Sequence, residues 1–289
     1  MTENEKNRVS KKTLYLVGTP IGNLADMSQR ALKILSEVDF VAAEDTRNGG
    51  RLLSYFGISK PLVSYYEHNK RERGEEIINR LLAGESCALI TDAGMPAISD
   101  PGEDLVRLCA ERGVAVTTVP GACAMVTALT LSALSTTRFA FEGFLPVPKK
   151  ERRQRLDALC AEMRTFIVYE APHKLRGTLA DLCDTLGADR KIAICRELTK
   201  INEEILRTTL GEACDVYSER EPRGEYVLVI DGAKDAPSEA KDAVIDKDEL
   251  KRAVDELCQA GKSKNAAIKT VAEANGMTRN QLYAMLIEK

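Results

Sequence analysis

Residues 91–102 read Thr-Asp-Ala-Gly-Met-Pro-Ala-Ile-Ser-Asp-Pro-Gly, placing two aspartates among the turn-formers Gly94, Pro96, Pro101 and Gly102. They follow the apolar run Cys87-Ala-Leu-Ile90, so a buried parallel strand ends where this loop begins. Gly94 and Gly102 permit positive φ or close backbone approach, and the prolines stiffen the segment between them. A rigid loop rich in backbone polar groups can grip a small molecule at the carboxyl end of a sheet. A second loop of this kind, Gly18-Thr-Pro-Ile-Gly-Asn23, ends the first strand. Either alone also suits an ordinary tight turn. Two at neighbouring strand ends point to one ligand.

Other chemistries are poorly supplied. The eight cysteines form no C-x-x-C pair and there are only two histidines, so a metal site is not expected. Free, buried thiols in a reducing cytoplasm account for them better. A net charge of −3 argues against an overall basic nucleic-acid binder. Local clusters remain: 148–155 holds five positive charges against one negative, and 262–289 holds five against two. Each cluster also fits a plain solvated face. No apolar run approaches the ~20 residues of a membrane span. The polar start, 1–11, reads as a short disordered lead without the apolar segment of a signal peptide.

The elements that must carry these loops follow from periodicity. With 289 residues, 44% apolar, the chain is expected to build two or three domains. Thr13-Leu-Tyr-Leu-Val17, Phe40-Val-Ala-Ala43, Pro61-Leu-Val-Ser-Tyr65, Cys87–Ile90 and Val114–Val119 read as strands. Between them lie helices: one opened by a capping box at Asp26-Met-Ser-Gln29, one around 51–56, and others at 72–83 and 103–112. Strands separated by helices of this length predict a parallel α/β sheet over 12–121. A second α/β domain, 122–232, is expected to have a mixed sheet, with helices at 122–133, 149–163 and 173–186. Its strands begin with Phe139-Ala-Phe-Glu-Gly-Phe144 and continue at Phe166-Ile-Val-Tyr169, Ile192-Ala-Ile-Cys195 and Tyr226-Val-Leu-Val-Ile230. Residues 233–246 have linker composition, and 247–289 read as a helical module with a helix-turn-helix pattern whose second helix starts at Thr278. A three-helix tail for packing or dimer contact fits that module as well.

Several motifs, in this order and spacing, resemble one family: Leu16-Val-Gly-Thr-Pro-Ile-Gly-Asn-Leu24, Ala43-Glu-Asp-Thr-Arg47, residues 91–102, Val119-Pro-Gly-Ala122 and Tyr169-Glu-Ala-Pro-His-Lys174. The chain resembles the ribosomal RNA small subunit methyltransferase I group of the tetrapyrrole-methylase-like, class III S-adenosylmethionine methyltransferases. The resemblance covers about 12–232. It implies two α/β domains with the S-adenosylmethionine cleft between them, in a cytoplasmic homodimer without metal or membrane. The implied reaction is methylation of a cytidine ribose 2′-hydroxyl in the decoding region of 16S rRNA, within the small ribosomal subunit. Because a fold does not set a substrate, two rivals stand beside it: a tetrapyrrole-like C-methyltransferase, and a non-catalytic S-adenosylmethionine-sensing nucleic-acid-binding protein.

The resemblance also assigns residues. Asp92, Ala93, Gly94, Ala97, Ile98 and Ser99 should line the cofactor. Gly121, Thr127 and Ala128 should flank it, Ala171, Gly224 and Glu225 should close it, and Pro20 should shape the acceptor side. Capping is the rival role for Ser99, Thr127 and Asp92. A ribose hydroxyl is a weak acid, so a base or a cation helps. Asp45 is the first choice for base, with Glu44 beside it, Arg47 for a phosphate or ribose contact, and Lys174 for phosphate or for lowering the hydroxyl pKa. An internal Glu44–Arg47 ion pair is the competing reading, as is transfer by positioning alone. RNA grip falls to Lys149, Lys150, Arg152, Arg153 and Arg155, with Lys262, Lys264, Lys269 and Arg279 in the tail.

Overall fold

The computed structural model describes residues 8–233, 247–259, 262, 264–274 and 282. The chain divides into two compact units at 233/234. The first unit holds two five-stranded sheets.

Sheet one contains β1 (Thr13–Val17), β2 (Phe40–Ala43), β3 (Leu62–Ser64), β4 (Cys87–Ile90) and β5 (Ala115–Val119), ordered β3-β2-β4-β1-β5. All its pairings are parallel. The central strands read as unbroken apolar runs because helices cover both faces. On one face α1 (Gln29–Glu37) and α2 (Thr46–Tyr55) bring Ile34, Leu35 and Leu53 onto Val17, Val41 and Ile90. On the other, α3 (Lys70–Leu82) and α4 (Gly102–Glu111) bring Ile77, Leu81 and Leu105 onto Leu14, Phe40 and Leu89. Full burial of each such side chain contributes roughly 1.5–3 kcal/mol. β1 and β4 are neighbours, yet the chain leaves β1 toward α1 and β4 toward α4, on opposite faces. A crevice must open between those two loops. This is the topological switch point, the place where open α/β sheets bind ligands.

Sheet two is mixed: β6 (Phe139–Phe144), β7 (Thr165–Glu170), β8 (Lys191–Arg196), β9 (Glu204–Thr209) and β10 (Tyr226–Ile230), ordered β6-β7-β10-β8-β9. Only β6 and β7 run parallel. Alternation along β7 sends Phe166 and Val168 to one face, under α6 (Lys149–Leu159), α7 (Leu175–Leu186) and α8 (Leu210–Glu219). Ile167 goes to the other, under α5 (Ala124–Leu131). Ile21, from the loop after β1, packs on that same face and so ties the two sheets together.

The expected fold class, two α/β layers of tetrapyrrole-methylase type, is the observed one, with local corrections. The first helix is capped by Ser28, whose hydroxyl accepts from Ala31 N at 3.1 Å, because Asp26 is already used in a 3₁₀ turn. α2 starts at Thr46 rather than near 51, since Asp45 caps it. The basic helix stops at Leu159. β9 and α8 were not expected. β9 is a half-exposed edge strand without an apolar run, whereas α8 carries a legible capping box between Thr209 and Glu212.

The second unit contains α9 (Lys247–Gln259) and α10 (Lys264–Ala274), joined through Leu250, Val254, Ile268 and Val271. Leu282 is buried in the same cluster. The rest of the second helix expected from 278, including Thr278 and Arg279, lies outside the described residues. Among the described residues no helix is long and apolar enough to cross a membrane.

Candidate functional site

At the switch point three loops touch backbone to backbone. Thr19 and Gly94 exchange both N–H···O bonds, at 2.9 and 3.2 Å, and the Thr19 hydroxyl donates to Thr91 O at 3.1 Å. Gly18 N donates to Val119 O at 3.2 Å. A Cβ on Gly121 would stand 2.8 Å from Gly18 Cα, and one on Gly18 2.7 Å from Gly121 Cα. Glycine is needed at both positions because no side chain fits between the chains. The loop after β4 is held from within. The Asp100 carboxylate accepts from Ala97 N (3.0 Å), Ile98 N (3.2 Å) and Gly102 N (2.7 Å). Ala97 and Ser99 both sit at positive φ, 68° and 62°, a conformation costing about 1–3 kcal/mol per residue that the Asp100 bonds help to hold. The Tyr65 hydroxyl adds a bond to Pro101 O at 3.2 Å.

These loops form one side of a cavity of about 410 Å³, whose other side is formed largely by strand ends of sheet two, from β6, β7, β8 and β10. The first half contributes Ile21, Glu44, Thr91, Asp92, Ala93, Gly94, Met95, Ile98, Ser99 and Asp100. The second contributes Cys123, Ala124, Phe144, Tyr169, Glu170, Ala171, Pro172, Cys195, Leu198, Glu225, Tyr226 and Val227. Tyr169 meets Phe141 and Phe144 edge-on, with centroids 4.9 and 5.7 Å apart. Its hydroxyl accepts from Met125 N at 3.1 Å, and burial pushes its pKa up to about 12. Five carboxylates border the space, Asp100 with its loop-holding bonds among them. Glu44 accepts from Thr91 Oγ1 at 2.8 Å and Asp92 from Asn48 Nδ2 at 2.9 Å. Glu170 accepts from Ala171 N at 2.8 Å and from the Thr178 hydroxyl. Glu225 pairs with Lys200 at 2.7 Å. A second cavity of about 510 Å³ adjoins the first and shares Ile21, Thr91, Asp92, Ala93 and Glu225 with it.

Of the residues expected at a cofactor, Asp92, Ala93, Gly94, Ile98, Ser99, Ala171 and Glu225 line the first cavity. Pro20 lines the second. Gly121 spaces the loops, and the Thr127 hydroxyl is turned back to Cys123 O at 2.9 Å within α5. Ala128 is wholly buried in the sheet-two core. Gly224, at φ +85°, packs on Glu197, where a Cβ would come within 2.6 Å. Ala97 serves the loop's own turn. Met95, Phe144, Tyr169, Tyr226 and Val227 line the cavity without having been singled out. Their signal was the end of each strand, which periodicity places but does not aim.

Asp45, expected as the base, is engaged at the start of its own helix. Its carboxylate caps α2 through Arg47 N at 2.8 Å and grips the Arg47 guanidinium, with Nη2 at 2.6 Å from Oδ2. The hydrogen bonds from Arg47 lower its pKa to about 2, which makes it a weak base. Neither Asp45, Arg47 nor Lys174 lines either cavity, whereas Glu44 does. The rival Glu44–Arg47 pair does not form either: Glu44 bonds Thr91 and Arg47 bonds Asp45. Arg152 was expected as an RNA contact. It is turned inward onto Asp181 (2.7 Å) and Thr178 (2.8 Å). Arg153 pairs with Asp157 and Arg155 with Glu142, while Lys149 and Lys150 project into solvent. Lys262 and Lys264 are exposed in the second unit.

The donor set suits S-adenosylmethionine. Carboxylates compensate cationic centres, Ile21, Ile98, Phe144 and Val227 give an apolar surface, and a volume of this size seats a drug-sized ligand. No group of three or more His, Cys, Asp or Glu placed to hold a metal occurs among the described residues.

Two α/β sheets closing on a glycine-spaced switch-point cleft define a methylase of the tetrapyrrole (corrin/porphyrin) class, and that family matches residues 13–214. A solved uroporphyrin-III C-methyl transferase from Thermus thermophilus, complexed with S-adenyl homocysteine, superposes with a TM-score of 0.55 at 18% identity. It covers 76% of this chain and 97% of that one, and the likeness shows the fold. Ribosomal RNA small subunit methyltransferase I of Synechocystis sp. is 46% identical over 95% of this chain and 97% of its own length. Its Pseudomonas aeruginosa counterpart is 44% identical over 97% and 99%. The chain belongs to the ribosomal RNA small subunit methyltransferase I family. It is a methyltransferase whose methyl donor is S-adenosylmethionine.

Proposed function

We propose that this protein methylates 16S rRNA in the small ribosomal subunit, at the ribose 2′-hydroxyl of a cytidine in the decoding region. We further propose that it works in the cytoplasm as a homodimer. The observation that carries the reading is the joined pair of cavities, one with the donor set for a cationic cofactor and one opening beside it, with Asp92 and Glu225 common to both. S-adenosylmethionine, when bound, supplies a methyl group activated on a sulfonium. The chain's own part is placement: the interlocked loops fix one side and the Tyr169–Phe144 pair the other. Holding reactants at attack distance supplies much of such a rate. Asp92, fixed by Asn48, lines both compartments and orients the hydroxyl there, a reading supported by the engagement of Asp45 with Arg47. Lys149, Lys150, Lys262 and Lys264 supply phosphate contacts.

Incubation with tritiated S-adenosylmethionine and small ribosomal subunits is expected to yield labelled 2′-O-methylcytidine in 16S rRNA. Label on another nucleoside would replace the specificity, and label on a porphyrinoid alone would replace the substrate. Asp92→Asn is expected to lower turnover roughly a hundredfold, the cost of a misplaced reactant, with Asp45→Asn within a few-fold of wild type. Steady-state kinetics on subunits check both, and the opposite ranking would return the role to Asp45. Size-exclusion chromatography with light scattering checks the dimer.

A further inference from the structure

The second cavity has a chemistry of its own. One wall is a single face of α2, where Asn48, Arg51, Leu52 and Tyr55 recur at the three- and four-residue spacing that aligns side chains along a helix. Pro20 and Lys200 stand among its other residues. Tyr55 is 66% exposed at the end of α2. Its one aromatic neighbour among the described residues is Phe56, edge-on at 4.9 Å, and its hydroxyl has no hydrogen-bond partner among them. Two thirds of the residue is open to solvent, so the ring contributes little to the core. Arg51 is exposed and has no ion-pair partner among the described residues, whereas Arg47 is held by Asp45 and Lys200 by Glu197 and Glu225. The cavity therefore offers an open π surface and an unpaired guanidinium at one end, and the carboxylate shared with the cofactor cleft at the other.

A splayed-out base stacks on an aromatic ring, and a guanidinium takes a phosphate. We propose that this cavity seats the acceptor nucleotide, its base on the Tyr55 ring and an adjoining phosphate on Arg51, with the ribose directed toward Asp92 and the cofactor cleft. The assignment rests on the rRNA reading above and names the residues that receive the target. Tyr55→Ala is expected to lower kcat/KM for subunit methylation roughly 5- to 150-fold, the worth of one base stack. Tyr55→Phe restores it, because the ring and not the hydroxyl does the binding. Arg51→Ala lowers kcat/KM and reduces the slope of log affinity against log salt by about 1, one phosphate contact. All three variants keep wild-type melting temperature and wild-type calorimetric affinity for S-adenosylmethionine. If Tyr55→Ala and Arg51→Ala methylate subunits as well as wild type, or lose cofactor affinity in proportion, the assignment falls while the rRNA reading stands. Wild-type protein that labels no ribosomal RNA overturns the rRNA reading, and the nucleotide with it.

Discussion

A backbone contact leaves no room for a methyl group between Gly18 and Gly121, so these two residues set how closely the loops after β1 and β5 can approach. Close backbone approach was legible in the sequence as an expectation at Gly94 and Gly102, whereas Gly121 was expected beside the cofactor, because the meeting of Gly18 with Gly121 depends on β1 and β5 lying side by side. Gly121→Ala is expected to spread the loops, cost about 1–3 kcal/mol in stability as overpacking does, and weaken cofactor binding at least tenfold. Calorimetry beside thermal melting checks it, and unchanged affinity would show that the loop spacing does not set the cleft. Asp45 shows the opposite limit. Its type and its position at a strand end suggested a base, but one turn of backbone decides whether such a carboxylate faces the cleft or caps its own helix. Only the structure shows Arg47 holding it, and shows Glu44, the preceding residue, facing the cavity.

At the level of elements, the five parallel strands could be read from apolar runs because sheet one is buried on both faces. β9 could not, since an edge strand with half-exposed residues lacks the pattern that burial imposes. Nor could Tyr169, Phe144 and Tyr226 be aimed at the cavity, because their direction depends on how sheet two stacks against the loops of sheet one. Tyr65, just past β3, shows how an element fixes a loop from outside it. Its hydroxyl is bonded to Pro101 O, and burial, with the nearby Asp104 carboxylate, raises its pKa to about 12 from the ordinary value near 10. A folded-state pKa above the unfolded one favours the neutral phenol in the fold. The stability it contributes is therefore complete below pH ~10 and is lost as pH rises toward ~12. Urea midpoints measured from pH 8 to 11.5 are expected to fall more steeply for wild type than for Tyr65→Phe. Parallel curves would remove Tyr65 as the source of the alkaline loss.

For the molecule as a whole, both sheets and the lining of both cavities lie, among the described residues, within 8–233. The second unit has its own apolar cluster, built from Leu250, Val254, Ile268, Val271 and Leu282. The linker composition of 233–246 is where the sequence led one to expect a change of character, and that composition says nothing of what the tail grips. Because the described lining of the proposed cofactor cleft belongs to the first unit, a chain ending at residue 233 is expected to bind S-adenosylmethionine with wild-type affinity. If the exposed Lys262 and Lys264 reach phosphate, the same truncation weakens subunit binding and lowers the salt slope by about 2, one unit for each lost contact. Calorimetry with the cofactor and subunit binding across a salt series measure the two halves independently. Lost cofactor affinity would mean that the tail completes the cleft, and an unchanged salt slope would leave the grip on RNA to the Lys149–Lys150 end of α6.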